Sequence, residues 1–453
     1  MRLQKSKFHF IGIGGIGMCG LAELLHNMGA KVSGSDLSEN ANTERLRELG
    51  IPVLRGHKAD HVGDADVVVF SSAVQTTNPE IQAARARQIP LIPRAEALAE
   101  IMRLKRGIAV GGTHGKTTTT SMTASIFLEA QARPTIVIGG KFDQIKSTAL
   151  LGDGDWLIAE ADESDGSFQK LSPEIAVITN IDSDHLDYFK SFENLQSSFV
   201  SFAQKTPFYG ICIVCGDDPK IRELFHNFPK RILFYGFDEK NDFVIKGKNG
   251  KYDVFENTTT GRKKLGEFEL KVPGQHNALN GLAALAVGLK AGFSFEICQK
   301  GLLKFEGVDR RFHFKGEEKN IRVYDDYGHH PTEVRATLQG FREKFPDRRL
   351  VVMFQPHRYS RTESCWHDFT TCFALCDELF LTDIYAAGET AITGINSQKL
   401  ATEIKHKDCC YLPKDDHLAE QIFAKLKSGD VFITLGAGDG WKVGMEVLDK
   451  LNA

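Results

Sequence analysis

Residues 107–120, GIAVGGTHGKTTTT, decide the fold of the middle of the chain. They predict a short apolar strand over residues 108–110, a glycine-rich turn, and a helix that begins at Thr117. Glycines in such a turn let successive backbone N–H groups and the positive end of the helix face one anion. Lys116 then supplies a mobile charge for the outer phosphates, and Thr117 a hydroxyl for the Mg²⁺ bound to them. The stretch therefore predicts an ATP- or GTP-type phosphate loop, which we define as residues 111–116.

The match to the usual pattern, G-x-x-x-x-G-K-[ST], is incomplete because Val110 stands at its first glycine. The alternative is an ordinary strand–turn–helix without a ligand. The predicted ATP contacts are consecutive in the chain: Gly112, Thr113, His114, Gly115, Lys116, Thr117 and Thr118.

The bulk properties exclude several classes of protein. With 453 residues the chain has room for two or three domains, and a net charge of −3 without a polybasic block argues against nucleic acid as a partner. An apolar run long enough for a membrane span is lacking in the sequence, and its start does not resemble a signal peptide, so we expect a cytoplasmic protein. The nine cysteines include one C-x-x-C, Cys212 and Cys215, within an apolar strand, so we expect no disulfide or structural metal.

A second glycine-rich motif lies near the start of the chain. Residues 8–17, FHFIGIGGIG, predict a strand that runs into Gly12-x-Gly14-x-x-Gly17, which we call the glycine loop (residues 12–17). A helix and a second strand ending at Asp36 follow, as in Rossmann-like domains. The glycines permit close approach of a pyrophosphate, and Asp36 offers an acceptor for a ribose hydroxyl; the alternative is a turn used only for packing.

Acidic and histidine side chains follow two later strands. The strand DWLIAE ends in Glu160 and is followed by Asp162, Glu163 and Asp165, and the strand IAVITN leads to Asp184, His185 and Asp187. Carboxylates at the phosphate end of a sheet suit Mg²⁺. We favour Glu160 as the ligand, and we interpret each of the other carboxylates as a solvated loop residue. For His185, a metal ligand and a hydrogen-bonded structural residue remain equally open.

The remainder is β-rich from about residue 211 to 272, with a hairpin at Asn249-Gly250, and then alternates strand and helix after residue 310. Polar residues end two of the late strands, in DDYGHHP (325–331) and HRYSR (357–361). Arg358 and Arg361, with histidines nearby and without an acidic neighbour in this motif, favour capture of a carboxylate or phosphate. Ordinary surface salt bridging is the alternative.

Taken together, these motifs resemble the Mur ligases along the whole chain. The matching stretches are GIGGIGM, SGSD, GTHGKTTTT, EADESD, TNIDSDHLD, GQHNALN, RRF, DDYGHHPTE and HRYSRT. The resemblance implies an α/β fold of three domains: a Rossmann-like UDP-sugar domain (1–106), a central P-loop ATPase-type domain with a small β-rich part (107–310), and a Rossmann-like domain (311–453) that binds the amino acid and closes over ATP.

The resemblance also implies the reaction. ATP phosphorylates the lactyl carboxylate of UDP-N-acetylmuramate, the amine of L-alanine attacks the acyl phosphate, and ADP and phosphate are released. The implied cofactors are ATP and two Mg²⁺ ions, and the implied partners are these small molecules, with the chain a monomer or weak homodimer. A carbamylated lysine, used by several Mur ligases, is not expected because residues 197–204 contain no lysine.

The family pattern assigns roles to individual residues. Lys116, His185, Arg358 and Arg361 are implied to be catalytic. The implied metal ligands are Thr117, Glu160 and His185; the further ATP contacts are Asn277, Arg311 and Asp326; the UDP-sugar contacts are Gly14, Gly15, Gly17, Asp36, Ser71 and Ser72; the amino-acid contacts are His329, His357, Arg358 and Arg361.

Two other functions remain open at this point. A ligase that joins a ready-made tripeptide to the same sugar nucleotide shares most of the motifs, but the pair Arg358 and Arg361 favours the enzyme for a single amino acid. An NAD-dependent oxidoreductase explains the glycine loop and Asp36 but leaves the phosphate loop and the acidic motif unused.

Overall fold

The computed structural model describes residues 5–71, 73–142, 144–164 and 166–452, and it does not describe the side chain of Asp187. The predicted contact Ser72 and the acidic Asp165 therefore lie outside the described residues. The chain divides into two compact units. The first comprises Met1–Lys246, Tyr252–Glu269 and Leu279–Phe305, and the second comprises Gly247–Lys251, Leu270–Ala278 and Glu306–Ala453.

The first unit begins with a parallel sheet in the order β3-β2-β1-β4-β5, which confirms the predicted Rossmann-like start. The strand order reverses beside β1, the position at which such sheets bind nucleotides, and the glycine loop lies there. Its elements are β1 (Lys7–Ile11), α1 (Ile16–Asn27), β2 (Lys31–Asp36), α2 (Ala41–Glu48), β3 (Val53–Arg55), β4 (Val67–Phe70), α3 (Pro79–Ala86), β5 (Leu91–Pro93) and α4 (Arg94–Met102).

A larger sheet follows in the order β15-β14-β13-β12-β11-β10-β6-β9-β7-β8. Strands β12, β11, β10, β6, β9 and β7 run parallel, and β8 pairs antiparallel with β7. The elements are β6 (Arg106–Gly111), α5 (Lys116–Glu129), β7 (Thr135–Phe142), β8 (Ser147–Leu150), β9 (Trp156–Glu160), β10 (Ile175–Ile178), α6 (Leu186–Phe189), α7 (Phe192–Ala203), β11 (Ile211–Cys215), α8 (Pro219–Leu224), β12 (Ile232–Gly236), β13 (Phe243–Lys248), β14 (Lys251–Thr258), β15 (Gly261–Glu269), α9 (Gln275–Lys290) and α10 (Phe295–Lys304).

Helix α5 is buried although it carries many hydroxyl groups. Its residues from Thr118 to Phe127 are all buried, so the helix lacks a polar face. Several of these hydroxyls donate to backbone carbonyl groups: Thr120 donates to the carbonyl of Lys116 at 2.8 Å, and Thr123 to that of Thr119 at 2.8 Å. Hydroxyls bonded in this way can be buried at low cost. The helix that begins at the phosphate loop is thus held on all sides.

The two sheets of the first unit share one apolar core, which contains residues of β1 and α1 together with residues of β9 and β10. Helix α1 lies directly against the β7–β8 hairpin, because a Cβ on Gly20 would come 2.8 Å from the hydroxyl of Thr148. Arg45 extends this contact, since its guanidinium donates to Glu23 at 2.8 Å and to the carbonyl of Lys146 at 3.0 Å. The predicted domain boundary after residue 106 therefore falls between two sheets that belong to one compact unit.

The second unit carries a sheet in the order β16-β17-β21-β18-β19-β20, parallel except for the β16–β17 pair. The antiparallel edge strand β16 and the strand β20 were not predicted from the sequence. The elements are β16 (His313–Glu318), β17 (Ile321–Asp326), α11 (Pro331–Lys344), β18 (Leu350–Phe354), α12 (Tyr359–Ser364), α13 (Trp366–Phe369), β19 (Glu378–Leu381), α14 (Ser397–Glu403), β20 (Cys409–Tyr411), α15 (Leu418–Phe423), β21 (Val431–Leu435) and α16 (Trp441–Asn452).

The three sheets confirm the predicted α/β class with Rossmann-like first and last sheets and a central ATPase-type sheet. The predicted hairpin at Asn249-Gly250 is also present, and both residues have positive φ, 55° and 83°. Among the described residues, none of the helices is both long and apolar enough to cross a membrane.

Candidate active site

The phosphate loop connects β6 to α5 and needs glycine at two positions. Gly112 has a φ of 129° and Gly115 a φ of 80°, values that residues with a side chain rarely adopt. There is also no room for a side chain: a Cβ on Gly112 would overlap the Thr179 hydroxyl and lie 2.9 Å from the Thr179 nitrogen, and one on Gly115 would lie 2.6 Å from Oδ1 of Asn280. The loop therefore has the tight backbone that an anion-binding turn requires.

The polar end of β10 holds this loop in place. The Thr113 N–H donates to the Asn180 carbonyl at 3.1 Å, and the His114 N–H to Oδ1 of Asn180 at 2.8 Å. In return, the Thr179 hydroxyl donates to the His114 carbonyl at 2.6 Å. The sequence analysis did not single out Thr179, Asn180 or Asn280. Their motifs, TNIDSDHLD and GQHNALN, carried the only available signal.

Lys116 lies at the start of α5 and folds back over the loop. Its ammonium donates to the carbonyls of Gly112 and Thr113 at 2.8 and 2.9 Å, and to Oε1 of Glu163 at 2.8 Å. Burial opposes the charge on Lys116, but the nearby carboxylates, Glu163 foremost, outweigh burial and raise its pKa. The lysine is therefore a positive charge directed at the phosphate loop.

Glu163 is the carboxylate that the sequence analysis interpreted as a solvated loop residue. It is fully buried instead, and burial raises its pKa to about 7 although the charge of Lys116 acts in the opposite direction. Its Oε1 also lies 3.6 Å from Nε2 of His185. Glu163 thus connects the lysine of the loop to the histidine that follows β10.

Thr117 and Glu160 are the pair with the chemistry for a Mg²⁺ ion. The Thr117 hydroxyl donates to Oε1 of Glu160 at 3.1 Å, and Oε2 of Glu160 accepts the Gly139 N–H at 2.8 Å. A hydroxyl and a carboxylate beside a phosphate loop form the hard oxygen donor set that Mg²⁺ requires. These two residues fit the ion that the family pattern implies.

His185 has φ of 56°, a value uncommon for a residue with a side chain, and its N–H donates to Oδ1 of Asp184 at 2.8 Å. Its ring lies 3.7 Å from Oδ2 of Asp184, in addition to its approach to Glu163. The predicted catalytic and metal residues of the first unit are therefore brought to one edge of the central sheet.

In the first sheet, Asp36 contacts the glycine loop. Its Oδ2 accepts the Gly14 N–H at 2.8 Å, while Asn42 donates to the Gly14 carbonyl at 2.8 Å. Arg94, which was not predicted, lies against the same loop: a Cβ on Gly17 would come 3.3 Å from its guanidinium carbon. Gly15 precedes α1 without a side-chain cap, so it leaves the helix N–H groups to other acceptors.

The predicted contact Ser71 follows β4 at the same edge of the sheet. A Cβ on Gly12 would lie 3.5 Å from its Cβ. The glycine loop, Asp36 and Ser71 thus form one group.

The second unit holds the other predicted ATP contacts, and their hydrogen bonds lie within that unit. Asn277 donates to the Pro273 carbonyl at 2.7 Å, and Arg311 donates to Oε1 of Glu333 at 3.2 Å. Asp326 is buried, and burial raises its pKa. Its Oδ2 accepts the Phe312 N–H at 2.7 Å and its Oδ1 the N–H of Gly328 at 2.8 Å and the hydroxyl of Thr337 at 3.2 Å. Asp326 therefore connects the residue before β16 with the turn after β17 and with α11.

The four predicted amino-acid contacts come together at the ends of β17 and β18. The rings of His329 and His357 lie 5.8 Å apart, and Nη1 of Arg361 lies 3.4 Å from Nδ1 of His357. Burial, together with the arginine charges, lowers the pKa of His357 to about 4, so its ring is neutral at pH 7. Arg358 and Arg361 are thus the cationic members of this cluster.

The prediction that these arginines have no acidic neighbour is wrong, because the fold brings one to Arg358. Glu389, which lies 31 positions after Arg358 in sequence, forms an ion pair with it, and Oε1 of Glu389 lies 2.7 Å from Nε of Arg358. Arg358 itself has φ of 69° and ψ of 137°, a conformation that costs about 1–3 kcal/mol for a residue with a side chain. Such strain is found where surrounding contacts fix the backbone, often at functional sites.

The fold and these groups are those of an enzyme that uses ATP: a phosphate loop with lysine and threonine, a hydroxyl and a carboxylate beside it, and a cluster of histidine and arginine side chains in the second unit. Family models match almost the whole chain: the Mur ligase family, catalytic domain over residues 7–106, the Mur ligase middle domain over 110–288, and the Mur ligase, glutamate ligase domain over 310–438. The chain belongs to the Mur ligase family.

Curated relatives match from end to end. A UDP-N-acetylmuramate–L-alanine ligase of Bdellovibrio bacteriovorus is 70% identical over 453 residues, which cover 100% of both chains. The protein of the same name from Trichlorobacter lovleyi is 50% identical over 98% of this chain and 99% of its own.

Solved structures agree with the fold. A UDP-N-acetylmuramate–alanine ligase of Thermotoga maritima superposes with a TM-score of 0.82 at 31% identity over 99% of each chain. A murein peptide ligase of Psychrobacter arcticus shares the fold with a TM-score of 0.73 at 23% identity over 98% of each chain.

Proposed function

We propose that this protein is an ATP-dependent ligase that joins L-alanine to the lactyl carboxylate of UDP-N-acetylmuramate, a step in the synthesis of peptidoglycan precursors. The observation that carries the proposal is the relative of that name, 70% identical over the whole of both chains. The proposed enzyme acts in the bacterial cytoplasm as a monomer or weak homodimer.

The chemistry has two steps. A lactyl carboxylate oxygen attacks the γ-phosphorus of ATP, so that ADP leaves and an acyl phosphate forms. The amine nitrogen of L-alanine then attacks the acyl carbon, and phosphate leaves with the electrons of the broken C–O bond while the nitrogen loses a proton. The protein contributes chiefly positioning and charge neutralisation, as in other phosphoryl transfers.

In the first unit, the N–H groups of the phosphate loop and the charge of Lys116 hold the phosphates of ATP. Thr117 and Glu160 would hold one Mg²⁺ and His185 a second. When bound, Mg²⁺ neutralises charge on the phosphate oxygens. The hydrogen bond between Thr117 and Glu160 supports this assignment, because it brings the two oxygens within 3.1 Å of each other. The full proposed set of ATP contacts in this unit is Gly112, Thr113, His114, Gly115, Lys116, Thr117 and Thr118.

The first sheet binds the UDP portion of the sugar nucleotide in this proposal. The glycine loop accepts the pyrophosphate, since Gly14, Gly15 and Gly17 allow close approach of the backbone. Asp36 and Ser71 contribute polar groups at the same sheet edge, and Ser72, outside the described residues, is retained from the family pattern.

In the second unit, His329, His357, Arg358 and Arg361 orient L-alanine and the acyl group. The neutral His357 and the two guanidinium groups suit a zwitterionic substrate whose carboxylate needs a cationic partner. Asn277 and Arg311 contact ATP by the family pattern. Asp326 contacts ATP by the same pattern, and the three hydrogen bonds that it accepts within its own unit fix the position of its carboxylate.

The test is phosphate release from ATP and Mg²⁺, with UDP-N-acetylmuramate and L-alanine supplied separately and together. We expect release only with both substrates, together with a product of the mass of the alanyl sugar nucleotide. Turnover with a tripeptide but not with L-alanine would assign the protein to the recycling ligases. Absence of turnover with either acceptor would refute the proposal.

A further inference from the structure

The loop that follows β19 reaches back to Arg358 through Glu389. Oε1 of Glu389 forms an ion pair with Arg358, 2.7 Å from its Nε, and accepts from the Ser360 hydroxyl at 2.6 Å, while Oε2 accepts the Ser360 N–H at 3.0 Å. Burial favours the neutral carboxyl, but the hydrogen bonds from Ser360 and the charge of Arg358 outweigh it and lower the pKa of Glu389. The carboxylate is therefore ionised at neutral pH and bonded on both oxygens.

The same loop also fixes the backbone of Arg358. The Arg358 N–H donates to the Tyr385 carbonyl at 2.8 Å, and the Tyr385 N–H donates to the Pro356 carbonyl at 2.8 Å. The rings of His357 and Tyr385 stack with centroids 5.5 Å apart and planes 8° apart. On the other side, the hydroxyl and N–H of Thr362 donate to the Arg358 carbonyl at 2.8 and 3.1 Å. These contacts hold the strained conformation of Arg358.

The choice of nitrogen matters for what Arg358 can bind. A guanidinium group presents a carboxylate with two forks, one formed by Nε and one Nη, and one formed by the two Nη groups. The Glu389 carboxylate lies 2.7 Å from Nε and covers that side of the group, so the end with both Nη nitrogens is the fork that stays suited to a second carboxylate. Glu389 thus orients the guanidinium so that its two Nη groups are the ones presented to a substrate.

We propose that Glu389 is a positioning residue for the amino-acid substrate, which holds Nε of Arg358 so that its two Nη groups bind the α-carboxylate of that substrate. The inference rests on the proposed function, in which Arg358 belongs to the amino-acid site. It assigns the α-carboxylate, rather than the side chain, as the group that this arginine recognises.

The test compares Glu389→Gln with Glu389→Asp and a matched control, Asp383→Asn. Asp383 lies at the start of the same loop, accepts from the Tyr411 hydroxyl at 2.6 Å and the Lys414 N–H at 2.9 Å, and the control makes the same change of acid to amide. Steady-state constants are measured for L-alanine, for ATP and for L-alaninamide, which keeps the amine but lacks the carboxylate. Thermal unfolding of every variant reports whether the domain is folded.

We expect Glu389→Gln to raise KM for L-alanine by about tenfold, the loss typical of a hydrogen bond to a charged group. We expect kcat and KM for ATP to stay within about twofold to threefold. The preference for L-alanine over L-alaninamide, expressed as a ratio of kcat/KM, should fall by a similar factor of about ten, because only the carboxylate contact is weakened. Glu389→Asp should restore part of the preference, and Asp383→Asn should leave it unchanged.

A double variant separates action through Arg358 from a general effect on the domain. Added to Arg358→Lys, Glu389→Gln should cause no further loss of preference, since its partner is already gone. Equal losses for L-alanine and L-alaninamide in a folded Glu389→Gln protein would overturn this inference alone. A wild-type protein that forms no product with L-alanine would refute the proposed function and this inference with it.

Discussion

Replacing Gly112 by alanine tests whether the phosphate loop is packed as the structure describes. The new Cβ would overlap the Thr179 hydroxyl and lie 2.9 Å and 3.1 Å from the backbone nitrogens of Thr179 and Asn180. Because these are backbone atoms of a buried strand end, β10 or the loop must move. The φ of 129° adds strain of about 1–2 kcal/mol for a residue with a side chain.

The movement puts at risk the hydrogen bonds that hold the loop, from the Thr179 hydroxyl to the His114 carbonyl and from the Thr113 N–H to the Asn180 carbonyl. Each contributes about 0.5–1.5 kcal/mol. With the backbone strain, Gly112→Ala should lower the free energy of unfolding by about 2–5 kcal/mol. ATP affinity should fall by about tenfold or more, since a misaligned loop needs to lose only about 1.4 kcal/mol of binding free energy to weaken binding by that factor.

Gly292→Ala is the matched control in the same unit. Gly292 also has a positive φ, 98°, but a Cβ there meets nothing within 4 Å. It should lower the free energy of unfolding by about 1–2 kcal/mol, the strain alone, and leave ATP binding unchanged. Urea unfolding and calorimetric titration with ATP measure both effects. Equal losses in the two variants, with ATP affinity intact in Gly112→Ala, would contradict the packing of the loop.

Three further predictions concern single side chains. Lys116→Ala should reduce phosphate release by about 10²–10³-fold in a protein of unchanged circular dichroism, because it removes the cation directed at the phosphates; a loss below tenfold in a release assay would contradict this role. Glu160→Gln should raise the Mg²⁺ concentration needed for half-maximal release by about tenfold or more, measured by titration at fixed ATP, whereas an unchanged requirement would remove Glu160 from the metal site. The third concerns His357, whose pKa is lowered from 6.5 to about 4 in the folded protein. Because the unfolded chain binds this proton more readily, the free energy of unfolding of the wild type should fall as pH falls from about 6.5 to 4. His357→Gln should flatten this part of the pH–stability curve, and an unchanged slope would refute the assignment.

The phosphate loop could be predicted from the sequence because all of its determinants are local. The strand, the glycines and the helix start lie within 14 consecutive residues, and each acts through its own backbone or side chain. The same holds for Glu160, which ends β9 as predicted.

The roles of the carboxylates were harder to predict from the sequence, because they depend on how the chain turns after a strand. Glu160 and Glu163 are three positions apart, yet one accepts from the Thr117 hydroxyl and the other from the ammonium of Lys116. Composition and spacing alone do not distinguish them. The burial that raises the pKa of Glu163 appears only once the loop is packed.

The acidic neighbour of Arg358 was missed for a different reason. Glu389 is brought to the arginine by the parallel pairing of β18 with β19, which places the loops after both strands side by side. Such non-local contacts leave no periodic or motif signal in the sequence. The antiparallel edge strand β16 was missed for another reason: it pairs with the next strand in the chain, β17, but its sequence, HFKGEE, is mostly polar and lacks the apolar run that marked the other strands.

The apolar core shared by the two sheets of the first unit has a thermodynamic consequence. With α1 seated on the β7–β8 hairpin, these sheets should denature as one cooperative block, so that the amide hydrogens of both exchange with solvent in a common opening event. A ligand that binds only at the glycine loop then adds its binding free energy to the stability of the whole block. Protection of the phosphate loop against exchange would rise with the concentration of that ligand, without any movement of the loop itself.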